Sequence, residues 1–537
     1  MNIAIILIIL LVGAILTYFS GNRLASKVAM LFGVAAAIFS VALCLKYGAA
    51  GASYSIDWIS NPNISFSLKA DGLSMAMILL TTILLPIIIL GTQSREFKNE
   101  KLLYSLVMFM TFAMTGAFLS SDALLYYVFW EMSLIPIYFI IVLWGNGEIA
   151  KRRKAAMTFF LFTFAGSLFM LAAIIYLYTK TGSFQLEAFY NADLTQTEQI
   201  WIFLAFFLAY AIKIPIFPFH TWQANVYQKA PAIGTMLLAG IMSKMGAYSV
   251  IRWQLPVTPY ASQELRTFVL ILCSIGVIYG AIMALRQNDL KRLLAYASLS
   301  HVGFVAAGAY ALTYDGLQGA VVLILAHGFG IVAMFYSADV IQTRTKTLTI
   351  SELGGIKEHA PKFSVAFFLS ILSSIGIPLT FNFIGEFTIM FGLYQVSLWY
   401  SLAVGTSLFL GAFFMLRMYQ HVMLGEPSKK SFRDLSKTEV TVFALIVGVL
   451  IFFGVYVKPV TDLVSTSLTE IVMYINREQL VKYNEYIDSH LSIRYTMPSI
   501  RDIQFEKNPY TSYPYRADSC IRIDCYRVLL RTIFPWY

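Results

Sequence analysis

The chain has 537 residues, 58% hydrophobic and 13% charged, a balance that excludes an ordinary water-soluble domain of this length. Its formal net charge of +10 would suggest a nucleic-acid partner in a soluble protein. Here the basic residues stand in short loops between apolar runs, where orientation in a membrane explains them better.

Apolar stretches long enough to cross a hydrocarbon core recur almost without interruption, and in lipid only helices or closed barrels satisfy their own backbone. Helices fit. The first run, Ile3–Phe19, has no basic residue before it and no small-x-small cleavage site after it, so it reads as a retained helix rather than a signal segment. The following spans are expected near Val28–Leu45, Leu73–Leu90, Leu102–Leu119, Ala123–Trp144, Met157–Tyr178, Ile200–Ile216, Ala232–Ile251, Phe268–Leu285, Leu293–Leu312, Leu317–Val340, Phe363–Leu393, Ser401–Leu424 and Val440–Val457. The fold class is therefore an all-α polytopic membrane protein of about fourteen helices.

Lys and Arg concentrate in the loops after odd-numbered helices, for example Lys151, Arg152, Arg153 and Lys154, or Arg286, Lys291 and Arg292, while the alternate loops hold few, among them Lys69 and Arg252. Short basic loops stay cytoplasmic, so both termini are expected on the other side. Prolines fall at matching places in the seventh and twelfth helices, in Lys213-Ile214-Pro215 and Gly376-Ile377-Pro378. Ordinary proline kinks would explain them alone. A charged residue beside each, Lys213 and Glu386, favours paired broken helices of a duplicated transporter.

Beyond Val457, apolar residues at helical spacing (Val460, Leu463, Val464, Leu468, Ile471) suggest a helix lying on the membrane surface or against a partner. The stretch from Asn476 to Tyr537 is polar, rich in Tyr and Arg and interrupted by prolines, with no recognisable chemistry. Cys44 and Cys273 fall in apolar runs and Cys520 and Cys525 in the tail, so the four cysteines match neither a zinc site nor iron–sulfur ligation. A Cys520–Cys525 disulfide is not established by spacing alone.

A charge at mid-bilayer costs several kcal/mol, so each needs a partner, water or a purpose. Glu131, Lys213, Lys244, His301, His327 and Glu386 all fall inside predicted spans. Singly, a His is as readily a packing group and a Glu–Lys pair a staple between helices. As a set of acid, amine and imidazole groups on successive helices they suit a proton relay, because each changes charge and water can link them. Asp71 and Asp122 each precede a helix, where capping is the default role. Arg417 and His421 share one face of helix thirteen and either extend the relay or reach the interface. Neither a phosphate-binding loop nor a dinucleotide-binding glycine turn is present, which argues against nucleotide binding by this chain.

The runs Ala70-Asp71-Gly72-Leu73-Ser74, Phe129-Trp130-Glu131, Ala211-Ile212-Lys213-Ile214-Pro215, Phe219-His220-Thr221-Trp222, Ser243-Lys244-Met245-Gly246, Asp289-Leu290-Lys291-Arg292-Leu293-Leu294-Ala295-Tyr296, Ser300-His301, Ala326-His327-Gly328 and Gly385-Glu386-Phe387 stand in one order along the chain. In these it resembles the antiporter-like membrane subunits of respiratory complex I, the proton-pumping NADH:quinone oxidoreductase. That resemblance extends to about residue 475. It implies two inverted five-helix repeats, in residues 101–252 and 253–424, after three N-terminal helices in 1–100 and before a last span and amphipathic segment in 425–475; the tail 476–537 lies outside it. It also implies Glu131 and Lys213 as a charge pair, Lys244 as the connecting lysine, His301 and His327 along a hydrated axis, and Glu386 as the terminal group. Glutamate at 386, where sister subunits look to have lysine, points to the M, or chain-four, type.

By the same resemblance the chain carries no cofactor or metal; FMN, iron–sulfur clusters and quinone belong to partner subunits, and the partners are other membrane subunits of the complex in a bacterial inner membrane. Thr158 departs from the family, whose members often show lysine there. A cation/proton antiporter or membrane-bound hydrogenase subunit shares Glu131, Lys213 and Lys244 and is the near rival. A passive membrane scaffold is the distant one.

Overall fold

The computed structural model describes residues 2–60, 64–426 and 432–477. The Cys520–Cys525 pair and the tail lie outside these residues. In chain order the helices begin with α1 (Ala4–Phe19) and α2 (Asn22–Tyr47), followed by a hairpin of β1 (Ala52–Ile59) and β2 (Ile64–Ala70). Then come α3 (Gly72–Thr92), α4 (Glu100–Leu119), α5 (Ala123–Met132), α6 (Leu134–Trp144), α7 (Ile149–Thr181), α8 (Leu186–Tyr190), α9 (Gln196–Lys213) and α10 (Gln223–Lys229). A continuous helical run holds α11 (Ala232–Leu237), α12 (Ser243–Ser249) and α13 (Leu255–Val257), joined by π-helical turns at Leu238–Met242 and Val250–Gln254. After it stand α14 (Pro259–Glu264), α15 (Arg266–Leu285), α16 (Leu290–Tyr310), α17 (Tyr314–Thr345), α18 (Ile356–His359), α19 (Pro361–Ser374), α20 (Phe381–Val396), α21 (Leu398–Tyr419), α22 (Lys437–Val455) and α23 (Lys458–Ile475).

Among the described residues, ten helices are long and apolar enough to cross a membrane, and α1 and α19 are shorter apolar helices. The protein is a helical, multi-pass membrane protein. Exposed side chains on its flanks are large and apolar, among them Leu45, Phe169, Phe387, Phe409 and Val455, as a lipid-facing surface requires. The polar spans go inside. The apolar spanning window of α17 is wholly buried, packed by α3, α16, α19, α20 and α22. Small residues allow those approaches: a Cβ on Gly319 would meet the backbone of Ile389 in α20.

The sequence signals for helix starts work locally. Asp71 accepts the Ser74 amide at 3.0 Å, and Asp122 accepts those of Leu124 and Leu125 at 3.0 and 3.1 Å, so both carboxylates cap helices as expected. Thr195 and Ser436 start α9 and α22 with reciprocal capping boxes to Glu198 and Glu439.

Both proline sites are true breaks. Helix α9 stops at Lys213 and the chain resumes helix only at Gln223, so the expected span to Ile216 ends short. The expected helix Phe363–Leu393 is divided into α19 and α20 around Gly376-Ile377-Pro378. The amphipathic segment is also present: α23 turns Val460, Val464, Leu468 and Ile471 against α3 and α17 of this same chain.

The hairpin was not anticipated. It pairs Ala52 with Ala70 through Ile59 with Ile64, with an irregularity between Asp57 and Ile59. Its strand character is written in the alternation Ser53, Ser55, Asp57 against Tyr54, Ile56, Trp58, which a search for long apolar runs passes over.

Candidate proton-transfer site

Breaks and a π turn put Glu131, Lys213 and Lys244 where backbone regularity is lost, whereas His301 and His327 stand in the middle of α16 and α17 and Glu386 in the second turn of α20. Lys213 is the last residue of α9, and its ammonium group, 1% exposed, hangs over the rings of Trp130 at 5.0 Å and Phe159 at 5.9 Å. These are cation–π distances, which hold a charge without a hydrogen bond. Nζ of Lys213 has no hydrogen-bond partner among the described residues. Glu131, at the end of α5, lies within electrostatic reach of Lys213 and faces Ser167, but no oxygen of it comes within 4.0 Å of the amine. The pair is brought together without being closed.

Lys244 is one residue into α12, directly after the first π turn. A π turn shifts the hydrogen-bond register and leaves a carbonyl free to take a side chain. Here that carbonyl is Ala239, which accepts from the Lys244 Nζ and, at 3.2 Å, from the Ser243 hydroxyl. Nζ also lies 3.3 Å from Ser243 Oγ and 2.7 Å from His327 Nδ1. The His327 and His301 rings are 5.4 Å apart, and His301 Nδ1 stands 3.3 Å from Glu386 Oε1. Lys244, His327, His301 and Glu386 thus form one run of side chains from α12 across α17 and α16 to α20. Unpartnered polar atoms line it: His327 Nε2, Glu386 Oε2 and Asn382 Oδ1. Buried polar atoms in that state require water.

Gly376 makes room for the last member. Its φ is +66°, in the left-handed region, and a Cβ there would overlap Glu386 Oε2 at 1.9 Å. The loop between α19 and α20 is therefore laid against the carboxyl group.

Two residues counted as loop cations are inside. Arg252 stands in the second π turn, 5% exposed, and its Nη2 reaches both oxygens of Asp71 at 2.5 Å. Burial alone would raise the Asp71 carboxyl, but Arg252, with help from the Ser74 amide, outweighs it and holds the group below the usual carboxylate range. Such a closed pair fixes helices; it is the opposite of the Glu131–Lys213 arrangement. Lys291 is likewise buried at 1% exposure. Arg417 and His421 line a cleft of about 230 Å³ with Gln287, Asn288 and Ser351, apart from the run above. Thr158 bonds only the Lys154 carbonyl of its own helix, at 2.8 Å.

Among the described residues, no group of three or more His, Cys, Asp or Glu side chains could hold a metal ion. Cys44 and Cys273 are free thiols.

The family model for NADH:quinone oxidoreductase/Mrp antiporter transmembrane subunits matches residues 120–411. NADH-quinone oxidoreductase subunit M of Rickettsia prowazekii is 35% identical over 487 residues, 88% of this chain and 98% of that one. Among solved structures, a chain of respiratory complex I from Thermus thermophilus with bound NADH superposes with a TM-score of 0.83 at 27% identity, covering 88% of this chain and all of that one. A chain of the Mrp complex from Dietzia sp. shares the fold at a TM-score of 0.78 and 19% identity, over 87% and 97% of the two chains. The chain belongs to the NADH:quinone oxidoreductase/Mrp antiporter family of membrane subunits.

Proposed function

We propose that this chain is the M-type proton-translocating membrane subunit of an NADH:quinone oxidoreductase. The observation that carries the reading is the unbroken sequence of contacts from Lys244 through His327 and His301 to Glu386 in the buried interior. At 2.7 Å the Lys244 ammonium can hand a proton to His327 Nδ1 of the neutral Nε2–H imidazole, and the resulting imidazolium can return it from Nδ1 to the amine or pass one on from Nε2. The imidazole then carries charge on a ring whose second nitrogen is unpartnered and near His301. His301 in turn faces Glu386, where the charge is balanced by the carboxylate. Glu131 acts from a distance: an ionised carboxylate favours the protonated Lys213, and its neutralisation or withdrawal frees the lysine to release.

In this reading the ten long apolar helices, α1, the broken pairs α9–α10 and α19–α20, and the run α11–α13 make about fourteen crossings. Residues 101–252 and 253–424 form two inverted repeats, each interrupted at its broken helix beside Lys213 or Glu386. Residues 1–100 hold the helices before them and 425–475 the last span and α23. Both termini face away from the basic loops, which lie on the cytoplasmic side of a bacterial inner membrane. Redox energy comes from quinone reduction in neighbouring subunits, which hold FMN and iron–sulfur clusters, and sister antiporter-like chains flank this one.

Purification of the tagged protein in mild detergent tests the assembly: bound flavin, iron–sulfur absorbance and NADH:quinone activity are expected. Co-purification with only small membrane chains would instead identify an antiporter. In reconstituted vesicles, Lys244→Ala should leave uncoupled NADH oxidation intact and reduce the proton uptake carried by this subunit by on the order of 100-fold. Damaged assembly with normal uptake per assembled complex would show a scaffold instead.

A further inference from the structure

Lys291 belongs to a run, Asp289-Leu290-Lys291-Arg292, that the polar axis leaves unused. It opens α16, and its Nζ donates to the Ala230 carbonyl at 3.1 Å, just past the end of α10. Two carboxylates reach it electrostatically, Asp339 on α17 and Asp289, the N-cap of α16. Asp339 is held by Arg95 at 2.8 Å, and Asp289 accepts from Gln228 at 3.1 Å. The Arg95 and Asp339 side chains keep 18% and 12% of their surface, whereas Lys291 keeps 1%. A buried amine therefore lies within electrostatic reach of an ion pair that is partly exposed.

The helix geometry connects this place to the axis. Helices α16 and α17 follow each other through a short turn and pack antiparallel. Lys291 and His301 are ten residues apart on α16, roughly 15 Å along it and about 80° apart around it. His327 and Asp339 are about twelve residues apart on α17, roughly 18 Å. Facing helices thus set Lys291 near Asp339 at one level and His301 near His327 at the other. Between them, on the same face as Lys291, stands Ser298, wholly buried, its Oγ without a hydrogen-bond partner among the described residues. A lone buried hydroxyl costs about 1–3 kcal/mol unless water satisfies it, and nothing in the apolar packing asks for an oxygen there.

We propose that Lys291 is the proton-loading residue of a branch entering the polar axis from the N-terminal end of α16, with Ser298 as its midway group. The Lys291 ammonium gives a proton to water held at Ser298 Oγ; the hydroxyl passes one on as it receives one, so it is neutral before and after. An imidazole of the His301–His327 pair takes the charge, and the Lys291 amine is reloaded from water at the Arg95–Asp339 pair, whose carboxylate stays ionised. This rests on the axis being a proton path.

The competing role is structural, with Lys291 merely neutralising Asp339 and Asp289, and the two roles separate on one substitution. Arginine keeps the positive charge but does not release a proton, while an amine does. The whole complex carrying Lys291→Arg, Lys291→Met, Ser298→Ala or Lys244→Ala is reconstituted, and assembly, uncoupled NADH oxidation and proton uptake per NADH are measured. Expected is that Lys291→Arg assembles and oxidises NADH normally, yet takes up protons at the reduced level of Lys244→Ala, and that Ser298→Ala slows uptake at least twofold. Full uptake with Lys291→Arg overturns the proposal, whether or not Lys291→Met assembles. Full uptake with Lys244→Ala would instead overturn the reading of the axis itself.

Discussion

The two charged regions of the membrane interior are built from the same kinds of groups and held in opposite states. Around Lys213 the carboxylate stands off, the amine rests on aromatic faces, and no hydrogen bond is closed. Around Lys244 the groups touch in series, from a carbonyl freed by a π turn to a carboxyl seated against a glycine. In the proposed mechanism, charge at the first region is governed by approach and separation, and at the second by handing a proton between neighbours already in place. On that proposal the variable step of transport falls at the first and the conductive one at the second.

Double-substitution cycles would sharpen that contrast most. Removing Lys244 and His327 separately and together should give a coupling of about 1–3 kcal/mol in transport rate, because the two groups are in contact. The same cycle on Glu131 and Lys213 should give under about 1 kcal/mol; equal couplings would erase the distinction. A smaller effect is expected from Gly376→Ala. Its left-handed backbone and the displaced Glu386 carboxyl should cost about 1–3 kcal/mol in detergent stability, with proton uptake lowered and the Lys213 side untouched. The least is expected from Thr158→Ala, whose hydroxyl serves only its own helix: a stability change within about 0.5 kcal/mol and unaltered uptake. A marked loss of uptake there would mean that the first region reaches further along α7 than its contacts indicate.

Much of this arrangement can be read from residues alone, for a physical reason in each case. Proline cannot continue a helix, so Pro215 and Pro378 announce both breaks, and Asp71 and Asp122 announce their helices by capping chemistry. A charge in an apolar run is costly enough to stand out, which exposes Glu131, Lys244, His327 and Glu386. Arg252 and Lys291 escape that logic because they fall near span ends, where basic residues usually belong to loops; only the folded packing shows them enclosed. The π turns leave no pattern in composition, so the carbonyl that meets Lys244 could not be foreseen. Neither could distance, which decides that Glu131 and Lys213 stand apart while His327 and Lys244 touch.

The enclosure of α17 bears on how the protein is made. A helix of 32 residues whose spanning window has no lipid-facing side gains its surroundings only from chain neighbours on both sides in sequence, α3 and α16 before it and α20 and α22 after. It must therefore enter the membrane before α19 to α22 have been synthesised: Lys244 and Arg95, the partners of His327 and Asp339, are already present, but the sides that α20 and α22 will cover still face lipid. Lesions in α19 to α22 should consequently surface as early degradation of the whole chain, long before they are felt as a slower pump.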